Sequence, residues 1–379
     1  MIIGILRESG NENRVAILPG ETAALRKLGL EVMVEEGAGE RAFASDTDYV
    51  SAGAVTAGRR EVISKCDLLL TVNPPLNDVV SSFSDGQMLF TVLDPVVNRE
   101  WLERARLQGL TVLALDLVPR ITRAQSMDIL SSMATVSGYK AVIEAASVLP
   151  RFFPMFMSAA GTIKPARMLI LGAGVAGLQA IAVARKLGAV VEGFDVRSAV
   201  KEEVKSLGGK FIEVEGAVED AAAGGYAVEQ TEDFKRRQQE LIQQRAAAAD
   251  VIIATAQIPG KRAPVLIQKE TVSKMKPGSV IIDLAASSGG NCELTQNGKT
   301  IVINGVSIIG KSDYPSEMPA DASKMFGNNI INLLKIMVGK EGRVVPDMAD
   351  EIIKGTTAVH GKEYVSPRIK QILEIKQTV

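Results

Sequence analysis

The chain has 379 residues, of which 46% are hydrophobic and 23% charged, and its formal net charge is −1. At roughly 100 to 200 residues per domain, this length predicts two domains, each with a sizeable core. A chain so close to neutral lacks the basic surface of a nucleic-acid-binding protein, so nucleic acid is not an expected partner.

Cysteine usage and the apolar runs bear on the cellular compartment. Cys66 and Cys292 lie far apart without metal-ligand spacing, which predicts buried thiols in a reducing compartment and no metal site. Charged residues follow the N-terminus too soon for a secretory signal. The run from Met168 to Ala184 is broken by three glycines and is shorter than the ~20 residues of a membrane span. We therefore expect a cytoplasmic protein without direct membrane insertion.

The N-terminal third of the chain alternates short β-rich runs with helix-length segments, which is typical of a parallel α/β sheet. The predicted strands are Ile2 to Leu6, Glu31 to Glu35, Leu68 to Val72, Met88 to Val92 and Thr111 to Leu115. The predicted helices lie near Glu21 to Leu28, Glu61 to Lys65 and Arg99 to Gln108. We expect the residues up to Leu115 to form one complete doubly wound unit, which lacks a glycine fingerprint.

A dense group of polar side chains follows between Pro119 and Ser132. It includes a guanidinium, an amide, a carboxylate and a hydroxyl, from Arg120, Gln125, Asp128 and Ser131. These donors and acceptors suit an amide-bearing, hydroxylated ligand, and nicotinamide riboside is such a ligand.

An alternative interpretation of this group is local helix chemistry. Thr122 followed three residues later by Gln125 fits a capping box at a helix N-terminus. Capping would explain these two residues and leave Arg120, Asp128 and Ser131 without a role. The two interpretations are compatible, and the sequence leaves both open.

A helix from about Gln125 to Leu149 is predicted to lead into a second α/β unit. The strands expected there are Met168 to Leu171, Val190 to Phe194, Lys210 to Val214, Val251 to Thr255, Ser279 to Leu284 and Val306 to Ile309. The charged, alanine-rich segment from Glu229 to Ala249 is expected to form a solvated helix. A helix from Ala322 to Val338 would return the chain to the first domain.

The predicted fold is therefore α/β, with two Rossmann-like, doubly wound parallel-sheet domains joined by the long helix. We expect a discontinuous N-terminal domain of residues 1–130 plus 320–379. Residues 131–319 would form the nucleotide-binding domain.

A glycine fingerprint opens the second domain. Gly172, Gly174 and Gly177 follow an apolar strand and begin a helix, so they can form the tight turn, admit a pyrophosphate and let the helix pack on the strand. Asp195 ends the next strand, where a carboxylate accepts hydrogen bonds from ribose hydroxyls and repels a 2′-phosphate. Although Arg197 follows, the acid favours NAD over NADP.

Two further segments are candidate parts of the nucleotide site. Gly224-Gly225-Tyr226 lies in a run of alanine and glycine that we expect to be mobile, and the tyrosine could close over a dinucleotide or simply belong to a turn. Thr255 and Gln257 follow a strand at its carboxyl end, where open α/β sheets bind ligands, and are expected to border the nicotinamide.

Acid and base groups suited to catalysis are scarce. His360 is the sole histidine of the chain and is expected at the surface. Asp283 ends a predicted strand, but such an acid can simply cap the next turn. A dehydrogenase that oxidises a hydroxyl or amine must move a proton as well as a hydride, whereas hydride transfer between two nicotinamides needs no such group.

Together these segments resemble the NAD(H)-binding component, domain I or alpha subunit, of proton-translocating NAD(P) transhydrogenases. The resemblance covers nearly the whole chain. Its most specific parts are the thirteen residues from Arg120, the run Gly-Ala-Gly-Val-Ala-Gly-Leu-Gln-Ala-Ile-Ala from Gly172, Asp195-Val196-Arg197, Gly224-Gly225-Tyr226, the Ile-Pro-Gly at Ile258 and the ten residues from Lys276.

The resemblance implies that NAD(H) is the cofactor and that the chain transfers a hydride to NADP⁺ on a partner. Arg120, Gln125, Asp128 and Ser131 would surround the nicotinamide and its ribose without acid or base chemistry, and Tyr226 would lie on a loop that closes over the nucleotide. Further contacts are implied for Val175, Gly225, Gln238 and Gln257. The implied partners are an NADP-binding subunit, a membrane-spanning proton-channel subunit and a second copy of the chain. Through them the chain would associate with the inner face of the plasma membrane.

Alanine dehydrogenase shares the fold and is the main alternative. Its N-terminal signature resembles Arg7-Glu8, Arg14-Val15-Ala16 and Pro19 here. Yet Asn73 stands where that enzyme has a substrate-binding lysine, Asp94 where it has a catalytic histidine, and Ser287 where it has an active-site aspartate. A non-enzymatic NAD-sensing module is a third hypothesis, disfavoured because the polar group near Arg120 suits hydride chemistry better.

Overall fold

The computed structural model describes residues 1–214, 231–258, 261–339 and 342–374. Its strands are β1 (Ile2–Ile5), β2 (Glu31–Glu35), β3 (Val55–Ala57), β4 (Leu68–Leu70), β5 (Met88–Thr91), β6 (Thr111–Ala114), β7 (Phe156–Ser158), β8 (Gly161–Ile163), β9 (Arg167–Leu171), β10 (Val190–Phe194), β11 (Lys210–Phe211), β12 (Val251–Ala254), β13 (Val280–Asp283), β14 (Lys299–Ile303), β15 (Val306–Gly310), β16 (Thr357–His360) and β17 (Glu363–Tyr364). Its α-helices are α1 (Pro19–Lys27), α2 (Asp46–Ser51), α3 (Arg59–Lys65), α4 (Arg99–Gln108), α5 (Ile129–Val148), α6 (Val175–Lys186), α7 (Lys201–Ser206), α8 (Glu232–Ala248), α9 (Lys269–Val272), α10 (Pro319–Lys335), α11 (Glu351–Thr356) and α12 (Pro367–Glu374).

The chain divides into two compact units, Met1–Met133 with Pro315–Val379, and Ala134–Tyr314. In the first unit the parallel strands stand in the order β3-β2-β1-β4-β5-β6, which is the doubly wound arrangement. Strand β16 pairs with β6 in the antiparallel sense, and β17 pairs with β16.

The prediction that the residues up to Leu115 form a complete unit was wrong. An unpaired edge at β6 would expose backbone N–H and C=O groups, and a strand from the far end of the chain covers it. Local sequence patterns carry no signal for a pairing between such distant segments.

The core of the first unit follows from its apolar strands. Leu68, Leu69 and Leu70 of β4 are all fully buried, as expected for a parallel strand covered on both faces. Helix α4 packs Trp101 and Leu102 against these strands. This packing fixes the carboxyl ends of β4, β5 and β6, from which the polar segment near Arg120 continues.

The long helix α5 begins at Ile129 in the first unit and continues into the second. The sequence placed its start near Gln125, but Thr122–Met127 form a short 3₁₀ helix instead. Asp128 separates the two helices with ψ of 91°, which is extended backbone. A capping residue at this point, described below, explains the break.

The second unit repeats the doubly wound order. Its parallel strands stand as β11-β10-β9-β12-β13-β15, and β14 adds an antiparallel edge beside β15. Hydrophobic clusters cover both faces of the sheet. Strand order reverses between β9 and β12, and ligands bind such sheets in the crevice at that point.

Both cysteines are buried and carry free thiols, as predicted. Burial raises the pKa of Cys66 to about 12 and that of Cys292 to about 11, so both thiols stay protonated near neutral pH. Within the described ranges, none of the helices has the length and apolar character required to cross a bilayer.

Candidate functional site

A tight turn joins β9 to α6 at the point where strand order reverses. Gly172 has φ of +96°, a conformation that L side chains rarely adopt. A Cβ there would lie 2.6 Å from Oγ1 of Thr255, at the end of β12. The Thr255 hydroxyl donates to the carbonyl oxygen of Gly172 at 2.9 Å, so Thr255 holds the turn in place.

The other two glycines of the fingerprint have different surroundings. A Cβ at Gly177 would collide with the carbonyl oxygen of Gly172, so α6 packs directly on the turn. At Gly174 the nearest heavy atom to a Cβ is Nη2 of Arg197, 4.0 Å away. The space beside Gly174 is therefore open.

Helix α6 begins at this open space. Gly174 is its N-cap residue and no side chain caps it, while Val175 in the first turn is 42% exposed. Backbone N–H groups and the positive end of the helix dipole attract anions at such a terminus. The turn thus has the shape and polarity to hold a phosphate group.

Asp195 stands after the end of β10, next to the turn. Its side chain is only 7% exposed. Oδ2 accepts from the backbone N–H of Ala173 at 2.8 Å, and Oδ1 accepts from that of Arg197 at 2.9 Å. The Arg197 guanidinium also donates to both oxygens, with both distances 2.9 Å.

Two opposing effects act on the Asp195 carboxyl. Burial alone would raise its pKa, but the hydrogen bonds from Arg197 and Ala173 outweigh burial and hold the pKa below its ordinary value. The group is therefore an anion at neutral pH. Val196, between the two charged residues, is 58% exposed and offers an apolar surface beside the carboxylate.

The loop after β12 is fixed by buried polar groups. Gln257 donates from Nε2 to the carbonyl oxygen of Leu284 at 3.1 Å. Asn291, which is fully buried, accepts from the N–H of Ala256 at 3.0 Å and donates to its carbonyl oxygen at 2.8 Å. Sequence analysis missed Asn291, because its position after two glycines indicates a turn but not its distant partner.

Asp283 anchors the same loop from β13. Its buried carboxylate accepts from the N–H groups of Ala285, Asn291 and Cys292 and from the Thr295 hydroxyl. Burial raises the pKa of Asp283. The interpretation of Asp283 as a capping acid is confirmed.

Three predicted residues of the second unit have other outcomes. Gly225 and Tyr226 lie outside the described residues, together with Gly224. Gln238 is half-buried on α8.

In the first unit, the polar segment near Arg120 presents two side chains to solvent. Arg120 and Gln125 are exposed and form no side-chain hydrogen bond or ion pair with another residue that the structure describes. The backbone between them is fixed, because Ala124 and Met127 are buried beneath it. A guanidinium and a primary amide are thus available to a ligand on a fixed backbone.

The capping interpretation of Thr122 and Gln125 was wrong. The 3₁₀ helix begins at Thr122, its N-cap residue is Ile121, and no side chain caps it. Capping belongs instead to Asp128, which accepts from the Ser131 N–H at 2.9 Å and from the Ser131 hydroxyl at 2.6 Å. Asp128 therefore stops the short helix and starts α5.

The N-terminal signature forms a separate polar network in the first unit. Arg14 donates to Glu12 at 2.8 and 2.6 Å, and Nδ2 of Asn73 donates to Glu12 at 3.1 Å. Glu8 accepts from the N–H groups of Val72 and Asn73 at 2.6 and 3.1 Å. Burial raises the pKa of Glu8 to about 7.

This network has consequences for the alternative chemistry. The Arg14 cation is neutralised by Glu12, and Asn73 contributes an amide in place of the lysine of alanine dehydrogenase. Asp94 is an exposed acid whose Oδ1 accepts from the N–H of Val97 at 3.4 Å. A site for an amino-acid carboxylate requires a free cation, and these residues do not supply one. Ser287, the third difference, is exposed.

Comparison with known families agrees with this architecture. The family description "Alanine dehydrogenase/PNT, N-terminal domain" matches residues 4–137, and "Alanine dehydrogenase/PNT, C-terminal domain" matches residues 141–367.

Individual relatives separate the two branches of the family. The chain is 46% identical to a chain of NAD(P) transhydrogenase subunit alpha from Rhodospirillum rubrum over 94% of this chain and 96% of that protein. It is 44% identical to NAD(P) transhydrogenase subunit alpha of Haemophilus influenzae over 98% of this chain and 73% of that protein.

Solved structures give the same result. A transhydrogenase from Sinorhizobium meliloti has a TM-score of 0.85 and 39% identity, covering 97% of this chain and 100% of that chain. An L-alanine dehydrogenase has a TM-score of 0.81 and 26% identity, covering 99% of each chain. The two folds are nearly equally similar, so sequence identity distinguishes them. The chain belongs to the alanine dehydrogenase/PNT family, and its sequence places it beside the NAD(P) transhydrogenase alpha subunits.

Proposed function

We propose that this chain is the NAD(H)-binding subunit of a proton-translocating NAD(P) transhydrogenase and positions NADH for direct hydride transfer to NADP⁺ on a partner subunit. The observation that carries the proposal is the exposed pair Arg120 and Gln125 on a fixed backbone. Such a pair can bind a nicotinamide ring while leaving it accessible to a second nucleotide.

The second unit fits the other end of the dinucleotide. The open space at Gly174, at the N-terminus of α6, suits the pyrophosphate. The Asp195 carboxylate suits the adenosine ribose hydroxyls, and its negative charge opposes a 2′-phosphate. This anion is the reason for proposing NAD(H), and not NADP(H), as the cofactor.

The proposed mechanism is positioning. When bound, the nicotinamide of NADH supplies the hydride. Arg120 and Gln125 orient the ring through hydrogen bonds, while Asp128 and Ser131 hold the end of the segment at the start of α5. No proton must be abstracted in transfer between two nicotinamides, which agrees with the absence of an acid–base pair in this set.

The proposed partners follow from the names of the relatives, which are subunits of larger enzymes. We propose an NADP-binding subunit that accepts the hydride and a membrane-spanning subunit that conducts protons. Coupling between them must act through binding and docking, because the two nicotinamides are chemically alike and the transfer has little driving force of its own. A homodimer at the inner face of the plasma membrane, held there by the partners, completes the proposal.

The test mixes the purified chain with an NADP-binding partner domain and follows hydride transfer from NADH to an NADP⁺ analogue by absorbance. We expect transfer only when both proteins are present. A parallel reaction contains the chain alone with NAD⁺ and alanine, or with NADH and pyruvate, and we expect no turnover. Turnover of alanine without the partner would overturn the proposal in favour of an amino-acid dehydrogenase. NADH binding without either reaction would favour a sensing module.

The role of the exposed amide is tested by Gln125→Asn, which shortens the side chain by one methylene. We expect transfer to slow about tenfold or more, because small misplacements of a reacting group are costly, while NADH affinity changes little. Gln371→Asn, an exposed glutamine on α12, is the matched control and should have no effect. Unchanged transfer in Gln125→Asn would remove that side chain from the mechanism.

A further inference from the structure

Two helices from the C-terminal part of the first unit hold the segment that carries Arg120 and Gln125. Arg123, between these two residues, donates from Nη1 and Nη2 to the two oxygens of Asp350 at 2.7 and 3.0 Å. The carbonyl oxygen of Ser126 accepts from Nδ2 of Asn329 at 2.8 Å and from Nδ2 of Asn332 at 3.1 Å. The short helix is thus fixed at two points by α10 and by the residue that precedes α11.

Asp350 has two functions in this arrangement. Oδ1 caps α11 by accepting from the N–H groups of Ile352 and Ile353 at 2.8 and 3.4 Å. The same carboxylate binds Arg123, and the hydrogen bonds from Arg123 lower the pKa of Asp350. A capping residue at the start of a rigid helix is therefore also the fixed point for Arg123.

The pair contributes little to folding. Arg123 is 50% exposed and Asp350 22% exposed, and ion pairs near the surface stabilise proteins weakly because solvent screens them. Its two-point geometry, however, fixes the direction of a planar guanidinium. The arrangement suits positioning better than stability.

We propose that Asp350 is a positioning residue for hydride transfer: through Arg123 it fixes the short helix that presents Arg120 and Gln125. Asn332 acts in the same way through Ser126. This inference rests on the proposed function, since the position of Gln125 matters only if that side chain orients the nicotinamide.

The principal variant is Asp350→Asn. Asparagine caps helices as well as aspartate, so α11 keeps its cap while Arg123 loses its anionic partner. We expect an unchanged melting temperature, NADH affinity within about twofold of wild type and a transfer rate lowered about tenfold. Asn332→Ala should lower the rate in the same direction, because it removes the second attachment by an independent route.

The matched control is Glu351→Gln. Glu351 is adjacent to Asp350, is 68% exposed and lies 3.9 Å from Nη2 of Arg123. This variant removes the same charge beside the same arginine without removing a hydrogen bond. It should transfer hydride at the wild-type rate, and an equal loss in both variants would assign the effect to charge alone and overturn the inference.

A second background separates positioning from general damage. If Asp350 acts through Gln125, then adding Asp350→Asn to Gln125→Ala should cause no further loss of rate, because the positioned side chain is already gone. Multiplicative losses in the double variant would overturn the proposed route through Gln125.

Amide hydrogen exchange of the nucleotide-free chain tests the inference independently of the reaction. We expect faster exchange of residues 119–128 in Asp350→Asn than in wild type or Glu351→Gln. If the wild-type chain fails to transfer hydride with its partner, the proposed function fails, and exchange still decides whether Asp350 fixes the segment. If wild type transfers hydride but Asp350→Asn matches it in rate and exchange, the positioning inference alone fails.

Discussion

Arg197 binds both carboxylate oxygens of Asp195, at 2.9 Å from Nε and 2.9 Å from Nη2. Two backbone N–H groups, of Ala173 and Arg197, bind the same carboxylate. A carboxylate has about four acceptor positions, and these four donors use them. Ribose hydroxyls can therefore bind Asp195 only if the Arg197 side chain gives up a hydrogen bond.

The first prediction concerns nucleotide choice. Asp195→Asn keeps an oxygen for the Ala173 N–H but removes the negative charge that opposes a 2′-phosphate. We expect NADH affinity to fall about tenfold, as for loss of a charged hydrogen bond, and the preference for NADH over NADPH to shrink. Fluorescence titration with both nucleotides measures the two affinities.

The control for this variant is Arg197→Gln, which breaks the same ion pair and leaves the carboxylate in place. Discrimination against NADPH should persist there. Equal loss of discrimination in the two variants would assign nucleotide choice to the ion pair and not to the charge of Asp195.

The second prediction uses the open space beside Gly174. Its φ of −77° suits alanine, and a Cβ there meets no atom closer than 4.0 Å. Gly174→Ala should therefore fold with an unchanged melting temperature, yet bind NADH about tenfold more weakly because the methyl group enters the space proposed for the pyrophosphate.

Gly20→Ala is the matched control, since Gly20 lies in the first turn of α1 with nothing within 4 Å of a Cβ. It should leave both melting temperature and NADH affinity unchanged. Wild-type NADH affinity in Gly174→Ala would contradict a phosphate site at this turn.

The third prediction separates the two functions of Asp128. Asp128→Ala removes the cap of α5 and should lower the free energy of unfolding by about 1 kcal/mol, which is typical of a lost N-cap. Asp128→Asn should recover most of that stability, since asparagine also caps well, but should still slow hydride transfer if the carboxylate helps orient the nicotinamide. Urea denaturation and transfer assays give the two results. Equal stability of wild type and Asp128→Ala would contradict the capping assignment.

The fourth prediction concerns Glu8, whose pKa is raised by burial from 4.5 to about 7. Between these values the folded chain keeps the proton while the unfolded chain releases it. Stability from this group is therefore full below pH 4.5 and is lost as pH rises through about 7, by an amount of about 3 kcal/mol at 1.36 kcal/mol per pKa unit.

Glu8→Gln cannot titrate and should lack this loss. Urea denaturation of both proteins from pH 4.5 to 8 measures the difference, which should move in favour of the variant as pH rises. Parallel curves would show that Glu8 titrates alike in both states of the chain.

Local patterns predicted the strands and helices that lie close in sequence. The runs Glu31–Glu35, Val190–Phe194 and Arg99–Gln108 have the bounds that alternation and apolar content indicate. The short hairpin of β7 and β8 and the edge strands β14 and β16 were not predicted. Their pairing depends on distant partners or on exposed residues with weak patterns.

The sequence by itself determined the doubly wound fold of both units and the placing of Asp195 after the strand that follows the glycine turn, because periodicity and glycine geometry act over a few residues. Only the tertiary structure decided how each polar side chain is used. It assigned capping to Asp128, made Arg123 a partner of Asp350 and left Arg120 and Gln125 exposed. Hydrogen bonds and ion pairs depend on which groups meet in space, and Arg123 and Asp350 meet only because the C-terminal segment folds back onto the first sheet.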